Sequence, residues 1–303
     1  MGHHLPCVTS PERLRVAFQG ELGAYAEDAI QLLYGPASEA LPYPTHVDAV
    51  AAVLERTADR VVLPIENTLI GSISDAHDAI DRTASLHAVG EAVVEVHHCL
   101  MAPHGASVDT IATVLSHSLA LAQCQEFFRK HRRIETHGVF DTAGAAREVA
   151  QLGDPSFAAV AGRAAAGRYK LDVIVADIED RHDNQTRYLA LARESITPET
   201  GVPVRTMIVF TTQDRAGALL FALQPFADQG VNLRRIDTRP TGEPWSYRFF
   251  VEFDHEVGDA HVAAALGGVR RQTKDARVVG TFPRWKAGRR GSIGWKASDI
   301  IGE

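Results

Sequence analysis

Cysteine is scarce in this chain: Cys7, Cys99 and Cys124 are the only three in 303 residues. An odd number without short paired spacings gives no zinc-site pattern and reads as reduced core or surface thiols. Long apolar runs are absent as well. No stretch approaches the ~20 apolar residues that span a bilayer, and the N-terminal MGHHLPCVTSPERLR has no apolar signal core, so the expected compartment is the cytoplasm. A basic excess is missing too. With 31 Lys and Arg against 38 Asp and Glu the formal charge is −7, which leaves no global field to recruit nucleic acid or an anionic membrane. Neither is an expected partner, and an anionic ligand needs local donors.

What is there is a soluble-type composition, 45% hydrophobic and 23% charged, in a chain longer than one hydrophobic core usually serves. From Leu14 the order is strand (RVAF), Gly-containing loop, then the helical pattern YAEDAIQLLYG. A helix over 45–56 and a short buried strand over 60–65 repeat the motif. The alternation resumes with EAVVEVHHCLMA, IATVLSH and one helix, ALAQCQEFFRKH, and predicts α/β architecture with a mostly parallel sheet. Next come IETHGVF, the alanine-rich helix after Asp141 and Thr142 that Gly153 and Pro155 end, FAAVAG, a second alanine-rich helix and DVIVADI. The stretch SITPETGVP is a linker, so the boundaries are a first domain at 13–195, a linker at 196–203, a second domain at 204–284 and a polar, flexible tail at 285–303. The second domain reads βαββαβ, which is ferredoxin-like.

Five ordered segments, FQGELGAYAEDA, PIENTLIGSI, SHSLALAQC, DTAGAA and NQTRYLAL, resemble the prephenate dehydratase family over nearly the whole first domain. A sixth, DRAGALLFALQPFADQGVNLRRIDTRP, resembles the phenylalanine-binding ACT domain of the same enzymes. The resemblance implies a catalytic domain of two lobes, similar to type II periplasmic binding proteins, with the chain crossing between lobes twice and the motif loops meeting in the cleft. It implies a hydro-lyase converting prephenate to phenylpyruvate, CO2 and water in phenylalanine biosynthesis, with phenylalanine as feedback effector. That elimination needs a dianion held, leaving groups oriented and the ring hydroxyl helped to depart. It requires no cofactor or metal, and none is expected.

By resemblance, Thr186 and Arg187 stand in the family's threonine-arginine-phenylalanine signature, with Tyr188 for the phenylalanine. Thr186 is expected to hydrogen-bond the departing hydroxyl, and Arg187 to pair with a substrate carboxylate or fix the loop. Asn67 offers an amide to a carboxylate. Glu66 is a candidate general acid, or else pairs with Arg187 or caps a helix. Ser116 and Gln123 match the family's serine and glutamine around a helix start, although Ser116 or Ser118 alone explains an N-cap. Gly23, Ala24, Tyr25, Thr68, Thr142 and Gly144 complete the expected substrate contacts, the small residues permitting close backbone approach to an anion. His97 and His98 point to opposite faces of a strand and receive no role.

In the second domain Gly217, Ala218, Leu219, Asn232, Leu233 and Asp237 are expected, by resemblance, to bind phenylalanine at a subunit interface, which makes a homodimer the minimum and a homotetramer the next state. Two alternatives stay open. Arogenate dehydratase performs the same elimination on the amino analogue, and a non-enzymatic receptor shares two-lobed folds.

Overall fold

A computed structural model describes residues 13–286. The first lobe contains β1 (Arg15–Gln19), α1 (Tyr25–Tyr34), β2 (Glu39–Tyr43), α2 (His46–Leu54), β3 (Arg60–Asn67), β4 (Gly71–Ser72), α3 (Ser74–Asp81) and β5 (His87–Glu95). The second contains β6 (Cys99–Ala102), β7 (Thr113–His117), α4 (Ser118–Ala122), α5 (Gln125–Lys130), β8 (Glu135–Val139), α6 (Thr142–Leu152), β9 (Phe157–Ala161), α7 (Arg163–Tyr169) and β10 (Asp172–Val175). Then β11 (Gln185–Ala192) returns to the first sheet, between β3 and β5. The chain therefore crosses between lobes twice, at 96–98 and at 176–184.

The sheets are mixed rather than mostly parallel. In the first, β1 pairs parallel with β2 and β3, but β11 runs antiparallel to both of its neighbours. A strand arriving from the other lobe enters the sheet from the opposite end, and that reverses its direction. In the second, β7 lies parallel to β8 and β9, while β6 is antiparallel to β9 and β10.

Helix positions follow apolar spacing and caps. In α1 the buried residues Ala26, Ala29, Ile30 and Leu33 recur at one-face spacing, and Gly35 ends the helix at φ 76°. Thr45 caps α2 by accepting from the Asp48 N–H, and Asp141 caps α6 by accepting from Gly144 at 2.6 Å. The single helix expected over 120–131 is two short ones. The Asp180 carboxylate accepts from the N–H groups of Gln125 and Glu126, and its own N–H donates to the Gln123 carbonyl at 2.7 Å. A capping residue 55 positions away breaks the helix.

The third sheet follows, built of β12 (Pro203–Thr211), β13 (Leu233–Pro240), β14 (Tyr247–Glu256) and β15 (Arg277–Pro283) in the order β13-β14-β12-β15. With α8 (Ala218–Asp228) and α9 (Ala260–Gln272) this is the expected βαββαβ unit. One face packs under its helices through Ile208, Phe210, Val251 and Phe253. The other face joins the first lobe's core through Met207, Val209, Phe250, Val279 and Phe282. A methyl group at Gly280 of β15 would overlap the Ala88 carbonyl of β5, so the backbones touch there. Ile196 of the linker packs against the first lobe as well. In the expected tail Trp285 packs on that lobe and donates its N–H to Glu91; residues 287–303 lie outside the described part, as does Cys7.

Candidate active site

A cleft of about 610 Å³ lies between the lobes, at the carboxyl ends of strands from both sheets. Its first-lobe wall is formed by Tyr25, His46, Asn67 and α3, and its second-lobe wall by His117, Gln123 and Thr142. Asn184 and Thr186 lie at its floor, on the returning segment.

The floor is one buried polar chain. Asn67 Oδ1 accepts from the N–H groups of Leu69 and Ile70, which fixes the amide's orientation. Its Nδ2 then donates to Asn184 Oδ1 at 2.7 Å and to Thr186 Oγ1 at 2.9 Å. Both amide hydrogens are spent within the protein, so Asn67 has none left for a ligand. Thr186 accepts from Asn67 and lines the cleft, and its own hydroxyl hydrogen has no acceptor among the described residues. Asn184 Nδ2 donates to Gln123 Oε1 at 3.1 Å, and that same oxygen accepts from His98 Nε2 at 2.9 Å. The Tyr25 hydroxyl donates to the His97 carbonyl at 2.6 Å, and its oxygen lies 3.0 Å from Nδ1 of the His98 ring. Burial pulls the His98 pKa down against the opposing Gln123 bond, in keeping with the neutral ring. Burial pushes the Tyr25 phenol up, so it stays protonated. The chain of bonds links both lobes and leaves two groups at the cleft with hydrogens to give, the Thr186 hydroxyl and the Gln123 amide nitrogen.

The predicted residues divide sharply. Thr186, Asn67, Gln123, Tyr25 and Thr142 border the cleft. Glu66 and Arg187 do not, because each neighbours a cleft residue on its strand and alternation sends it to the other face. There Arg187 forks onto Glu252 of the second domain, with 2.6 Å in both bonds, and lies 3.3 Å from Glu66. Of the three readings of Glu66, general acid, partner of Arg187 or helix cap, its place beside Arg187 matches the partner. Ser116 is buried and donates to the Val160 carbonyl at 2.6 Å. The N-cap of α4 is His117, not Ser116 or Ser118. Thr68 braces the returning loop, donating to the Asp183 carbonyl and accepting from Gln185 N.

Gly144 gives its N–H to Asp141. Gly23, at φ 92°, packs so tightly on α7 that a Cβ would sit 3.0 Å from Ala165 Cα, and Ala24 precedes α1 without a side-chain cap bond. Gly23 thus brings the lobes together, and Ala24 packs on the first lobe's own core.

In the second domain Gly217 opens α8 at φ 77°, with Ala218 and Leu219 on its first turn, while Asn232 and Leu233 lie beyond its far end. Asp237 is on neither side of α8. It pairs in register with Phe250, on the face toward the first lobe, where it contacts Ser72 and Arg235. Two strand positions on, Arg239 forks onto Asp78 of α3 at 2.8 and 2.9 Å.

Sequence reasoning missed His98 and Asn184. Asn184 was legible: two residues before Thr186 in an extended segment, it shares that residue's face. Nothing local distinguishes His98.

Fold and site together define a two-lobed α/β ligand-binding body with a polar cleft at its hinge, joined to an ACT-type sensor unit. A family model described as prephenate dehydratase matches residues 16–196, and one for the ACT domain matches 206–271. The chain belongs to the prephenate dehydratase family. It is 41% identical to arogenate dehydratase 2 of Petunia hybrida over 91% of this chain and 73% of the relative. Among solved structures it resembles a prephenate dehydratase from Arthrobacter aurescens in complex with L-Phe, with TM-score 0.82, 30% identity and 92% of each chain covered. It also resembles GqqA, described as a novel type of quorum quenching acylase, with TM-score 0.81, 29% identity, and 89% of this chain and 97% of that one covered.

Among the described residues, no serine or cysteine lines the cleft as an acyl-transfer nucleophile. No helix of the described residues is long and apolar enough to cross a membrane.

Proposed function

We propose that the cleft catalyses the decarboxylative dehydration of prephenate to phenylpyruvate. The ring–carboxylate bond breaks, its electron pair shifts through the diene, and the C–O bond opposite breaks to release hydroxide, which is protonated to water. Carbon dioxide leaves and the ring becomes aromatic. The observation that carries the reading is the free Thr186 hydroxyl: the amide behind it takes the acceptor side, so the remaining hydrogen is held toward the departing oxygen. Arg82, His46 and Thr142, which border the same cleft, supply donors for the two carboxylates.

The amino analogue, arogenate, has a specific observation in its favour. Asp75 lines the cleft and has no ion-pair partner among the described residues, so an ammonium group finds a counter-charge there. The similarity to the Petunia arogenate dehydratase points the same way.

Phenylalanine is the proposed effector. The 11 residues of α8 span ~16 Å at ~1.5 Å each, longer than one amino acid, so Gly217–Leu219 and Asn232–Leu233 contact a single phenylalanine only when they come from different subunits. Under that reading a homodimer is the minimum and a dimer of dimers the next state. Asp237 then acts as a link to the first lobe instead of a ligand contact. The proposed compartment is the cytoplasm.

The test is turnover of pure prephenate and pure arogenate by the parent, by Thr186→Val and by Asp75→Asn. Loss of turnover in Thr186→Val with substrate binding retained, and an Asp75→Asn shift in preference away from arogenate, are the expected results. Turnover of neither substrate by the parent refutes the enzymatic reading.

A further inference from the structure

We propose that Glu252, a residue of the ACT domain, is a positioning residue for Thr186 and that it acts through Arg187. The inference rests on the reading of Thr186 given above and extends it to a part of the chain that no ligand of the cleft touches.

Three observations converge. Thr186 and Arg187 are consecutive on β11, one facing the cleft and the other facing away, so a displacement of the Arg187 side chain is transmitted to Thr186 through a single peptide unit. The guanidinium is held by an in-plane fork, Nη1 to Glu252 Oε2 and Nη2 to Glu252 Oε1, both 2.6 Å, in a place where the Glu252 side chain is 1% exposed and that of Arg187 is 10%. This two-bond geometry fixes direction as well as distance. Finally, the ladder between β11 and β3 shifts register between Arg187 and Tyr188. Pairing with β3 is interrupted next to Arg187, just past the Thr186–Asn67 pair, while the ladder to β5 runs without a shift from Gln185 to Ala190, so on the β3 side the Arg187 fork supplies a fixed point that the ladder lacks.

The surrounding charges make Glu252 the central anchor. Arg187 also meets Glu91 at 3.2 Å, and Glu91 meets Arg205 of β12 at 3.1 Å. Arg235 of β13 reaches Glu252 at 3.1 Å and Glu66 at 3.5 Å. Residues from three catalytic strands and three ACT strands therefore share one cluster. Of its acids, only Glu252 gives both oxygens to Arg187. Catalytic hydrogen bonds lose about 10²-fold in rate for ~1 Å of misplacement, so a shift of the fork too small to unfold the protein is large enough to read in kcat. An ACT movement that changes the reach of Glu252 would alter turnover without altering the cleft wall.

The experiment uses the full-length protein and the variants Glu252→Gln, Glu252→Asp and Arg248→Gln. The last breaks another docking contact of the same strand, Arg248 with Asp81 at 3.1 Å, and does not touch Arg187. Steady-state kinetics and hydrogen exchange over residues 185–192 are measured together. Glu252→Gln is expected to lower kcat about 10- to 100-fold with KM within about twofold, and to speed exchange in that segment. Glu252→Asp recovers part of kcat, and Arg248→Gln changes neither kcat nor that segment's exchange. A kcat within twofold of the parent in Glu252→Gln overturns the proposal, as does an equal loss in Arg248→Gln. If the parent turns over neither substrate, the functional reading fails by itself, and exchange still decides whether Glu252 positions β11: unchanged exchange in Glu252→Gln overturns it.

Discussion

Replacing Asn67 by aspartate changes one atom and reverses the polarity of the site. In the parent the Nδ2 group donates to Thr186 at 2.9 Å, so the threonine hydrogen is left for the substrate. A carboxylate at position 67 accepts that hydrogen instead and turns the donor away from the cleft. Its oxygen also opposes Asn184 Oδ1 at the 2.7 Å now occupied by a donor bond, so the Asn184 amide must rotate or retreat. The acceptor side, toward Leu69 and Ile70, is preserved.

Removing one oriented donor from a developing oxyanion typically costs about 10²–10³ in kcat, which is ~2.7–4 kcal/mol. The stability loss from mispairing at Asn184 is ~1–3 kcal/mol. Phenylpyruvate formation measured for Asn67→Asp, Thr186→Val and the double variant decides the matter. If both substitutions act by removing the same hydrogen, the double variant is no slower than the slower single one. Losses that multiply, or an Asn67→Asp enzyme within threefold of the parent, would falsify the assignment of donor and acceptor along the floor.

Two further expectations concern stability and protonation. Gly280→Ala places a methyl against the Ala88 carbonyl, which only backbone displacement relieves. The expected result is a loss of ~1–3 kcal/mol in denaturant unfolding, with the ACT unit separating as an earlier transition; an unchanged midpoint removes the close approach as a docking device. The neighbours His97 and His98 are expected to titrate on opposite sides of the ordinary imidazole value. Burial lowers His98 against its bond to Gln123, so its folded-state advantage is full above ~6.5 and is lost as pH falls from there through the lower folded value. The hydrogen bond that His97 donates to Glu179, opposed by burial, raises His97, so its contribution is full below ~6.5 and is lost as pH rises through the folded value. Ring-proton NMR from pH 5 to 8 reads both, and coincident midpoints contradict the separate environments.

Much of this organisation was legible in the sequence. Strand-loop-helix order, the βαββαβ unit and the cleft positions of Tyr25, Asn67, Gln123, Thr142 and Thr186 followed from pattern and motif. What was hidden is sidedness. Glu66–Asn67 and Thr186–Arg187 are adjacent pairs whose members are equally polar, and period-two alternation says that they diverge without saying which face the ACT domain covers. The break between α4 and α5 was invisible for a related reason. Locally 119–131 has a good helical composition, and the competing cap, Asp180, comes from a distant crossing segment. His98 received no role because it was read only as one of two adjacent strand residues pointing to opposite faces. Its actual partners, Tyr25 and Gln123, come from 73 and 25 residues away.

The central place of β11 also bears on the order in which the molecule can be made. During synthesis β3 and β5 emerge early, yet neither can pair with the strand that belongs between them until residue 192 has left the ribosome. The whole second lobe, from β6 to β10, is complete by then and is free to fold as a contiguous unit, with domains generally folding as units in the order made. The first lobe meanwhile waits with two open strand edges, the kind of surface that invites mispairing. Thr186 and Asn67, 119 residues apart, meet only when that gap closes. Catalytic competence is thus the last property the first lobe acquires, and a nascent chain stalled before β11 holds every wall of the cleft but no floor.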